Sequence, residues 1–512
     1  MQLKAVRIKN FRGYKNEVTI NIEDLTAFIG KNDIGKSTVL EALDIFFNDG
    51  KGVIKLDKDD INKASCSEGD NDIYITTIFT DLPKNIIIDD SNPTNFSEEY
   101  LLNKDGDLEI IKKYPNAGSA KVFIKAKHPT NPLCSELHTK KIADYRKIIK
   151  ENSIECKDHT KNAIMREAIW KHFFKDLQLE EIEIDASKED AKNIWEKIQD
   201  YLPIYTLFQS DRKNSDGDSE VQDPLKIAVK EILEDNTIKQ MLEEISVKVT
   251  NRLKEVSEST LEKLREMNPS IASSLSPVIP PPKSLKWQDV YKNVSIAGDN
   301  EIPINKRGSG VKRLILLNFF RAEAERRKGA ENSKSIIYAI EEPETSQHYA
   351  HQKILIESFK KLSRSQNTQV ILTTHSSTVV KGLEFKNIRL IYINEHNQKD
   401  IKSIERRQLP YPSLNEINYV AFGEFTEEYH NELYGHIEEI GEKDNYCFDK
   451  NLLPYIRELK NGETKNEEKC LTEYIRHQIH HPENKRNERF DSKQLEESIN
   501  LMREFINQKR SE

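Results

Sequence analysis

The N-terminal segment shows a pattern that predicts strands followed by a helix. Apolar residues stand at strand spacing between residues 3 and 8 and again between residues 18 and 22, and an apolar run from residue 25 to residue 29 ends at Gly30. Such a run is typical of a buried strand. The inner side of the helix that follows is formed by Val39, Leu40, Leu43, Ile45 and Phe46. The pattern therefore predicts strand, loop and helix in direct succession.

The middle of the chain gives a weaker pattern. Residues 73–80 predict another strand, whereas residues 85–200 predict an inserted subdomain of mixed helical segments in which we recognise no chemistry. Residues 225–265 carry apolar side chains at steps of three and four, which predicts an amphipathic helical arm. Residues 276–283 form a proline-rich connector after this arm.

Short buried strands resume in the last third of the chain, at residues 336–340, 370–373 and 388–393, and the chain beyond residue 410 is charged and helical in pattern. The predicted fold class is α/β, with an inserted helical arm and an all-helical C-terminal domain. The predicted domains are an N-terminal lobe (1–85), an inserted helical subdomain and arm (86–284), a C-terminal lobe (285–405) and a helical C-terminal domain (406–512).

Composition and charge narrow the classes of function. The 512 residues include 78 basic and 86 acidic side chains, a net charge of −8, so no overall basic field draws the chain onto nucleic acid. No stretch approaches the ~18 to 20 apolar residues that span a bilayer. The five cysteines form no Cys-x-x-Cys pair, and the N-terminus shows no leader pattern, so we expect reduced thiols and a cytoplasmic location without membrane contact.

A phosphate-binding loop lies between the buried strand and the helix. Its glycines, Gly30 and Gly35, let backbone N–H groups face phosphate oxygens, and the helix N-terminus adds its dipole. We expect Lys36 to reach the outer phosphates of a nucleotide and Ser37 to hold Mg²⁺ through its hydroxyl. The predicted nucleotide-binding residues of the loop are Gly30, Lys31, Asn32, Asp33, Gly35, Lys36, Ser37 and Thr38.

Two later strand ends supply the groups that hydrolysis needs. The strand at residues 336–340 runs into Glu341 and Glu342; we expect Glu341 to hold the metal with its water shell and Glu342 to act as general base or to position the water. The strand at residues 370–373 leads to His375, whose side chain can hydrogen-bond the outer phosphate and the water. We therefore predict Glu342 and His375 as catalytic residues.

These motifs together resemble a known family of ATPases. The motifs are Asn10-Phe11-Arg12, the loop at 30–37, the segment 307–313 with its Gly308-Ser309-Gly310, the Glu341-Glu342-Pro343-Glu344 strand end and the histidine strand. In this order they resemble the P-loop ATPase head of the ABC superfamily, and within it the overcoming-lysogeny (OLD) family and the RecF and SMC-like heads. The segment 207–225 also resembles OLD-type ATPases.

The resemblance implies a head-to-head homodimer, or a higher homo-oligomer, that holds two ATP molecules with Mg²⁺. Each phosphate loop then faces the partner's segment 307–313, so Gly308, Ser309 and Gly310 are expected nucleotide contacts. The resemblance also implies a nucleotide contact for Arg12 of the Asn10-Phe11-Arg12 motif. The sequence departs from the family pattern at two points. The signature serine is displaced by one position, and no glutamine between residues 70 and 90 matches the usual metal-contacting glutamine.

The C-terminal hundred residues leave two interpretations open. OLD-family nucleases continue into a Toprim domain, but its glutamate and Asp-x-Asp pattern is missing beyond residue 395, so we reject that DNA nuclease. Instead, Arg476 and His481 resemble the motif of HEPN ribonucleases, which would make them catalytic in metal-free RNA cleavage. The alternative is an ordinary basic helix end before Pro482. His430 or Glu432 could approach the Arg476–His481 pair, and a further alternative is zinc on His477, His480 and His481.

The function expected from the resemblance is antiphage defence. ATP-driven dimer engagement would control a toxic nuclease, either the HEPN-like tail or a partner effector or toxin protein, with DNA or tRNA as the nucleic acid. A RecF- or SMC-like DNA-repair ATPase and an ATP-dependent scaffold that sequesters a toxin are the alternatives.

Overall fold

The structure is a computed structural model that describes residues 1–49, 52–87, 93–187, 189–209, 235–267, 335–345, 348–404, 413–448, 450–459 and 462–511, together with residues 229, 232 and 233. The chain divides into two compact units: Met1–Thr26 with Ser37–Thr373, and Ala27–Lys36 with Thr374–Glu512. None of the helices in the described ranges is long and apolar enough to cross a membrane.

The described chain contains both strands and helices, and they alternate from β9 to β13. The strands are β1 (Gln2–Lys9), β2 (Val18–Asn21), β3 (Leu25–Ile29), β4 (Asp72–Thr80), β5 (Ile86–Ile87), β6 (Pro93–Thr94), β7 (Leu108–Pro115), β8 (Lys121–Pro129), β9 (Leu179–Asp185), β10 (Ile204–Phe208), β11 (Ile336–Glu341), β12 (Thr368–Thr373), β13 (Ile388–Ile393), β14 (Lys399–Ser403), β15 (Leu452–Glu458) and β16 (Thr464–Cys470). The helices are α1 (Lys36–Asn48), α2 (Lys63–Ser67), α3 (Ile142–Glu151), α4 (Asn162–His172), α5 (Glu189–Tyr201), α6 (Asn236–Met267), α7 (Tyr349–Ser363), α8 (Ser377–Lys381), α9 (Leu414–Phe422), α10 (Glu427–Glu439), α11 (Lys443–Phe448), α12 (Leu471–His480) and α13 (Ser492–Ser511).

The first unit contains a six-stranded antiparallel sheet in the order β2-β1-β4-β7-β8-β9. Three of these strands lie in the segment predicted as an inserted helical subdomain, so the prediction of a helical character for residues 86–200 is wrong in part. β7 is mostly buried and carries a continuous apolar and charged mixture rather than a strict alternation. In β9 only Ile184 is buried, although Ile182 and Ile184 alternate with glutamates as in a strand.

A second group of strands in the first unit is parallel. β10 pairs with β11 in a register that aligns Phe208 with Ile340, and β11 pairs with β12 in a register that aligns Glu341 with Thr373. All but the last residue of β11 are buried, as expected for a parallel sheet. Because parallel strands end at the same edge, the residues that follow β10 and β11 lie side by side.

The second unit begins with the phosphate loop. Here β3 pairs in parallel with β13 through residues 27–29, and β13 pairs antiparallel with β14. Farther along the chain, α10, α12 and α13 enclose a core that includes Leu433, Ile475, Ile499 and Met502. The predicted α/β class and the helical C-terminal region are confirmed by this arrangement.

The C-terminal region is not all-helical, however, because β15 and β16 form an antiparallel hairpin. β16 is polar, and β15 carries Pro454 within an apolar run; both strands are mostly exposed, so neither shows the alternation of a half-buried strand. The Asn461-Gly462 pair was the available signal, since Gly462 has the positive φ of +81° that a tight hairpin turn requires.

Candidate functional site

The phosphate loop has the backbone conformation that its glycines allow. Gly30 and Gly35 adopt φ values of +147° and +106°, and Asp33 adopts +59°. Lys36, only 6% exposed, donates from Nζ to the carbonyl oxygens of Gly30 and Lys31, each at 3.0 Å. The lysine ammonium therefore lies inside the curve of the loop, where an anion would replace the carbonyl groups as its partner.

Within the second unit, β13 and β14 each contact the backbone of the phosphate loop. A Cβ atom on Gly30 would lie 2.6 Å from the carbonyl oxygen of Ile391 on β13, so only glycine fits this approach. Lys399, at the start of β14, donates to the carbonyl oxygen of Asp33 at 3.4 Å. Burial lowers the pKa of Lys399, against the opposing effect of the Asp33 charge. Lys399 is a second cationic group at the loop that the sequence patterns did not identify.

We expect Gly30→Ala to abolish nucleotide binding and to lower the free energy of unfolding by about 1–3 kcal/mol, because the methyl group meets backbone in a strained conformation. Gly423→Ala is the matched control: Gly423 also has a positive φ, of +70°, but nothing lies within 4 Å of its added Cβ. Thermal unfolding and titration with a fluorescent ATP analogue measure both effects. Equal losses in the two variants would show that the close approach to Ile391 is irrelevant.

A cluster of oxygen-bearing side chains lies in the first unit at the end of β11. Glu341 ends this strand, and Gln209, which follows β10, donates to Glu41 Oε1 on α1 at 3.4 Å. Both Gln209 and Ser37 also hydrogen-bond the Glu341 carboxylate. The structure thus brings together the two predicted metal ligands, Ser37 and Glu341, and adds Glu41 and Gln209 to them.

The electrostatics of this cluster fit a divalent cation. Burial raises the pKa of the Glu341 carboxyl to about 7; the nearby charges of Glu41 and Glu342 act in the same direction, and the hydrogen bonds from Gln209 and Ser37 oppose them. Within the described residues, Glu341 Oε1 is buried and has no hydrogen-bond partner. Carboxylate, amide and hydroxyl oxygens are the ligands that Mg²⁺ takes, and a cation would lower that raised pKa.

Glu342 has a strained backbone directly after the strand. Its φ of +40° lies in the left-handed region that a non-glycine residue rarely adopts. The Glu342 N–H donates to the carbonyl oxygen of Thr373 at 3.1 Å and to its Oγ1 at 3.2 Å, and Thr345 Oγ1 lies 3.4 Å from Glu342 Oε2. The end of β12 therefore holds this residue in a conformation typical of functional sites.

Arg12 and His375, two further predicted residues, occupy different surroundings. Arg12 pairs with Glu41 and, at 2.7 Å, with Asp60, so its guanidinium neutralises part of the acidic cluster. His375 is exposed and stands between Thr374, whose N–H donates to Phe28 O at 3.0 Å, and the helix cap at the start of α8. The backbone on both sides of His375 is thus held by these hydrogen bonds, and its side chain lies at the surface.

Arg476 and His481 contact different partners in the structure. Arg476 on α12 pairs with Glu438 at 3.2 Å and lies over the ring of Tyr434, both on α10. His481, just beyond α12, hydrogen-bonds Glu483 at 3.2 Å. The contacts of these two side chains are on different elements, so their predicted pairing as one catalytic site has no support within one chain.

The other candidates near this pair are also engaged elsewhere. His430 is fully buried, and its Nε2 lies 3.0 Å from Ser498 Oγ. Burial lowers the pKa of His430 to about 3, and the Arg476 charge acts in the same direction. Glu432 accepts hydrogen bonds from Ser413 and Asn415. The zinc alternative is wrong: in the described part of the chain, the only group of three metal-ligating side chains comprises Cys447, Cys470 and Glu473 rather than the histidines.

Some of the residues predicted from the sequence lie outside the part of the chain that the structure describes. Gly308, Ser309 and Gly310 lie outside the described residues, as do the proline-rich connector and most of the segment 207–225. The residues missed at the site are Glu41, Gln209 and Lys399. The sequence signal for Gln209 was its position as a polar residue directly after the mostly apolar run 204–208. Glu41 and Lys399 had no such signal, because their roles depend on contacts with residues distant in sequence.

Comparison with known proteins places the chain among ATPases. Residues 1–380 match the AAA ATPase domain family AAA_15. Endonuclease GajA from Bacillus cereus (strain HuB5-5) is 23% identical over 446 residues, which cover 76% of this chain and 58% of that protein. The chain thus spans little more than half the length of this relative.

Solved structures of SMC heads are also similar. One is a crystal structure of the SMC head bound to the C-terminal winged-helix domain of ScpA, with a TM-score of 0.38 and 13% identity over 79% of this chain and 98% of that one. Another is the SMC head domain from Thermotoga maritima, with a TM-score of 0.33 and 11% identity over 79% of this chain and 100% of that one.

Proposed function

The chain belongs to the AAA ATPase domain family, and from this membership we propose that it binds ATP with Mg²⁺ and hydrolyses it at the phosphate loop and the Glu341–Glu342 strand end. The observation that carries the proposal is the carboxyl of Glu341, buried beside Ser37, Gln209 and Glu41 with its pKa raised to about 7. The ionised form of such a buried carboxyl group is unfavourable by itself, and a bound cation stabilises it.

Each residue then has a defined role. The backbone N–H groups of the loop and the Lys36 ammonium bind the outer phosphates, and Ser37, Glu341 and Gln209 would hold Mg²⁺. The ion, when bound, neutralises the charge that develops on the phosphate oxygens. Glu342 accepts a proton from the attacking water, and His375 donates a hydrogen bond to the outer phosphate.

The wider proposal is that nucleotide-driven dimer engagement controls a toxic nuclease in antiphage defence. It is supported by the similarity to a protein named an endonuclease, over 58% of that protein's length. The separate contacts of Arg476 and His481 favour a partner effector over the chain's own tail as the nuclease. A tail nuclease would need a second copy of the chain to complete its site.

The decisive experiment measures ATP turnover and nucleic-acid cleavage together. We expect purified protein to hydrolyse ATP, and Lys36→Ala to reduce this by at least about 10²-fold, because the ammonium that binds the phosphates is lost. Lys147→Ala, at a 70% exposed side chain on α3, is the matched control. ATP turnover that survives Lys36→Ala would refute the ATPase proposal.

The same preparations are then incubated with tRNA and with linear DNA, with and without ATP. Cleavage by the purified chain that changes with ATP and disappears in Arg476→Ala or His481→Ala would place the nuclease in the tail. Intact nucleic acid in all conditions, alongside normal ATP turnover, is the expected result for a partner effector.

A further inference from the structure

Two cysteines meet in the C-terminal part of the second unit. Cys447 lies in the last turn of α11, and Cys470 ends β16 directly before α12. Both are free thiols, and their Sγ atoms are 3.0 Å apart. Cys470 is 1% exposed, whereas Cys447 is half-buried. The sulfurs are therefore about 1 Å from the ~2.05 Å separation of a disulfide bond.

The two chain segments that carry the cysteines are joined by a second, independent contact. Tyr446 OH lies 2.8 Å from Thr472 Oγ1, and Thr472 Oγ1 lies 2.7 Å from Ser498 Oγ, all within the buried interior. These hydroxyl contacts hold the residue before Cys447 against the second residue after Cys470. The approach of the two sulfurs is thus fixed by the fold rather than by surface side chains.

The two thiols differ in chemistry. The hydrogen bond from Cys447 lowers the pKa of Cys470, and backbone N–H groups of Glu473 and Thr472 at the start of α12 act in the same direction. The same sulfur contact, with burial, raises the pKa of Cys447. Burial of Cys470 opposes this lowering, but the direction makes Cys470 the more readily deprotonated thiol of the pair, which is the asymmetry found in reactive dithiols.

We propose that Cys447 and Cys470 are an oxidation site that converts to an intrachain disulfide in reaction with a peroxide. The Cys470 thiolate attacks one peroxide oxygen, which breaks the O–O bond, forms a sulfenic acid and releases water after protonation. The Cys447 sulfur then attacks the sulfenic sulfur, so that an S–S bond forms and a second water leaves. Two thiols supply the two electrons that reduce the peroxide. The burial of Cys470 selects a small oxidant over a bulky disulfide.

A zinc site is the competing interpretation, because Glu473 lies within 4.8 Å of both sulfurs. Two observations disfavour it. Glu473 already pairs with Lys443 at 3.2 Å, and structural zinc takes four ligands where the described residues offer three. The sulfurs would also have to separate to the ~3.8 Å that tetrahedral Zn–S bonds of ~2.3 Å impose.

The disulfide would close a loop that contains the β15–β16 hairpin. Its 22 residues, 448–469, would be tied from the end of α11 to the start of α12. Cross-linking restricts the unfolded chain, so oxidation should stabilise the hairpin and the helix that carries Arg476. This site is independent of the proposed ATPase, since none of its residues belongs to the phosphate loop or the β11 strand end.

The test uses the full-length protein, freed of reductant and treated with hydrogen peroxide. We expect the intact mass to fall by about 2 Da, and a digest under non-reducing conditions to yield the peptides of Cys447 and Cys470 joined and separable by reductant. Peptides that are unjoined, or joined through Cys66, Cys134 or Cys156, would overturn the proposal.

Variants separate the two steps. Cys447→Ser should leave a sulfenic acid on Cys470 that a dimedone probe labels. Cys470→Ser should lose both the label and the cross-link. The control is Cys66→Ser, at an exposed cysteine, which should keep the cross-link. Zinc analysis of the reduced wild-type protein is the second arm. One equivalent of tightly bound zinc that protects both cysteines from peroxide would overturn the proposal in favour of a metal site.

Discussion

Glu342→Gln is expected to lower the rate of ATP hydrolysis by about 10² to 10⁴-fold while ATP binding persists, because an amide cannot accept the proton of the attacking water. The substitution keeps the size of the side chain. It also keeps the backbone contacts to Thr373, which hold this residue at its φ of +40°. Steady-state phosphate release and equilibrium binding of a fluorescent ATP analogue measure the two effects separately.

The matched control is Glu357→Gln, the same chemical change at a 62% exposed side chain on α7. This variant should hydrolyse ATP at the wild-type rate. If Glu342→Gln retains turnover within a few-fold of that control, the general base is another group, and Glu344 or His375 becomes the next residue to test. A parallel loss of binding would indicate instead that Glu342 positions the nucleotide.

Much of the nucleotide site was predictable because its signals are local. A buried strand, glycines at fixed spacing and a helix start within residues 25–48 define the phosphate loop, and an apolar run that ends in two carboxylates defines Glu341 and Glu342. Each inference needs only the order of side chains along one short segment. Strand and helix periods then give the direction of each side chain.

The position of Gln209 in the site could not be predicted from its local sequence. It lies 341 − 209 = 132 residues before Glu341, and the parallel pairing of β10 with β11 brings their side chains together. The family pattern places the metal-contacting glutamine between residues 70 and 90, near β4; no glutamine occurs there, and β4 belongs to the antiparallel sheet. Strand pairing between distant segments is set by the whole fold, so one sequence read by periodicity does not reveal it.

The C-terminal region shows how little a short motif by itself specifies. There the short Arg476 and His481 motif predicted one site, yet the two side chains contact different elements. Five residues along a helix turn by about 500°, so the side chains leave the axis about 140° apart. Spacing in sequence therefore argued against convergence within one chain, and the contacts to Glu438 and Glu483 agree with that geometry.

Glu341→Gln is expected to make the metal-free protein more stable at pH 8 while removing its response to Mg²⁺. The pKa of Glu341 is raised from 4.5 to about 7 in the folded chain, so the folded state binds its proton more tightly than the unfolded state. The stability of the wild type therefore falls as pH rises from about 4.5 to 7, by about 3 kcal/mol in total. Glutamine carries no charge and avoids this cost at every pH.

Urea unfolding in EDTA between pH 5 and pH 8 measures the difference, which should be largest at pH 8 and shrink towards pH 5. Added Mg²⁺ should raise the unfolding midpoint of the wild type, because the ion binds only the folded site, and should leave Glu341→Gln nearly unchanged. Glu357→Gln again serves as the control, since its exposed carboxylate lies outside the cluster. A Glu341→Gln protein that is less stable than wild type at pH 8 in EDTA would mean that its carboxylate is already satisfied without a cation, and the metal assignment would fail.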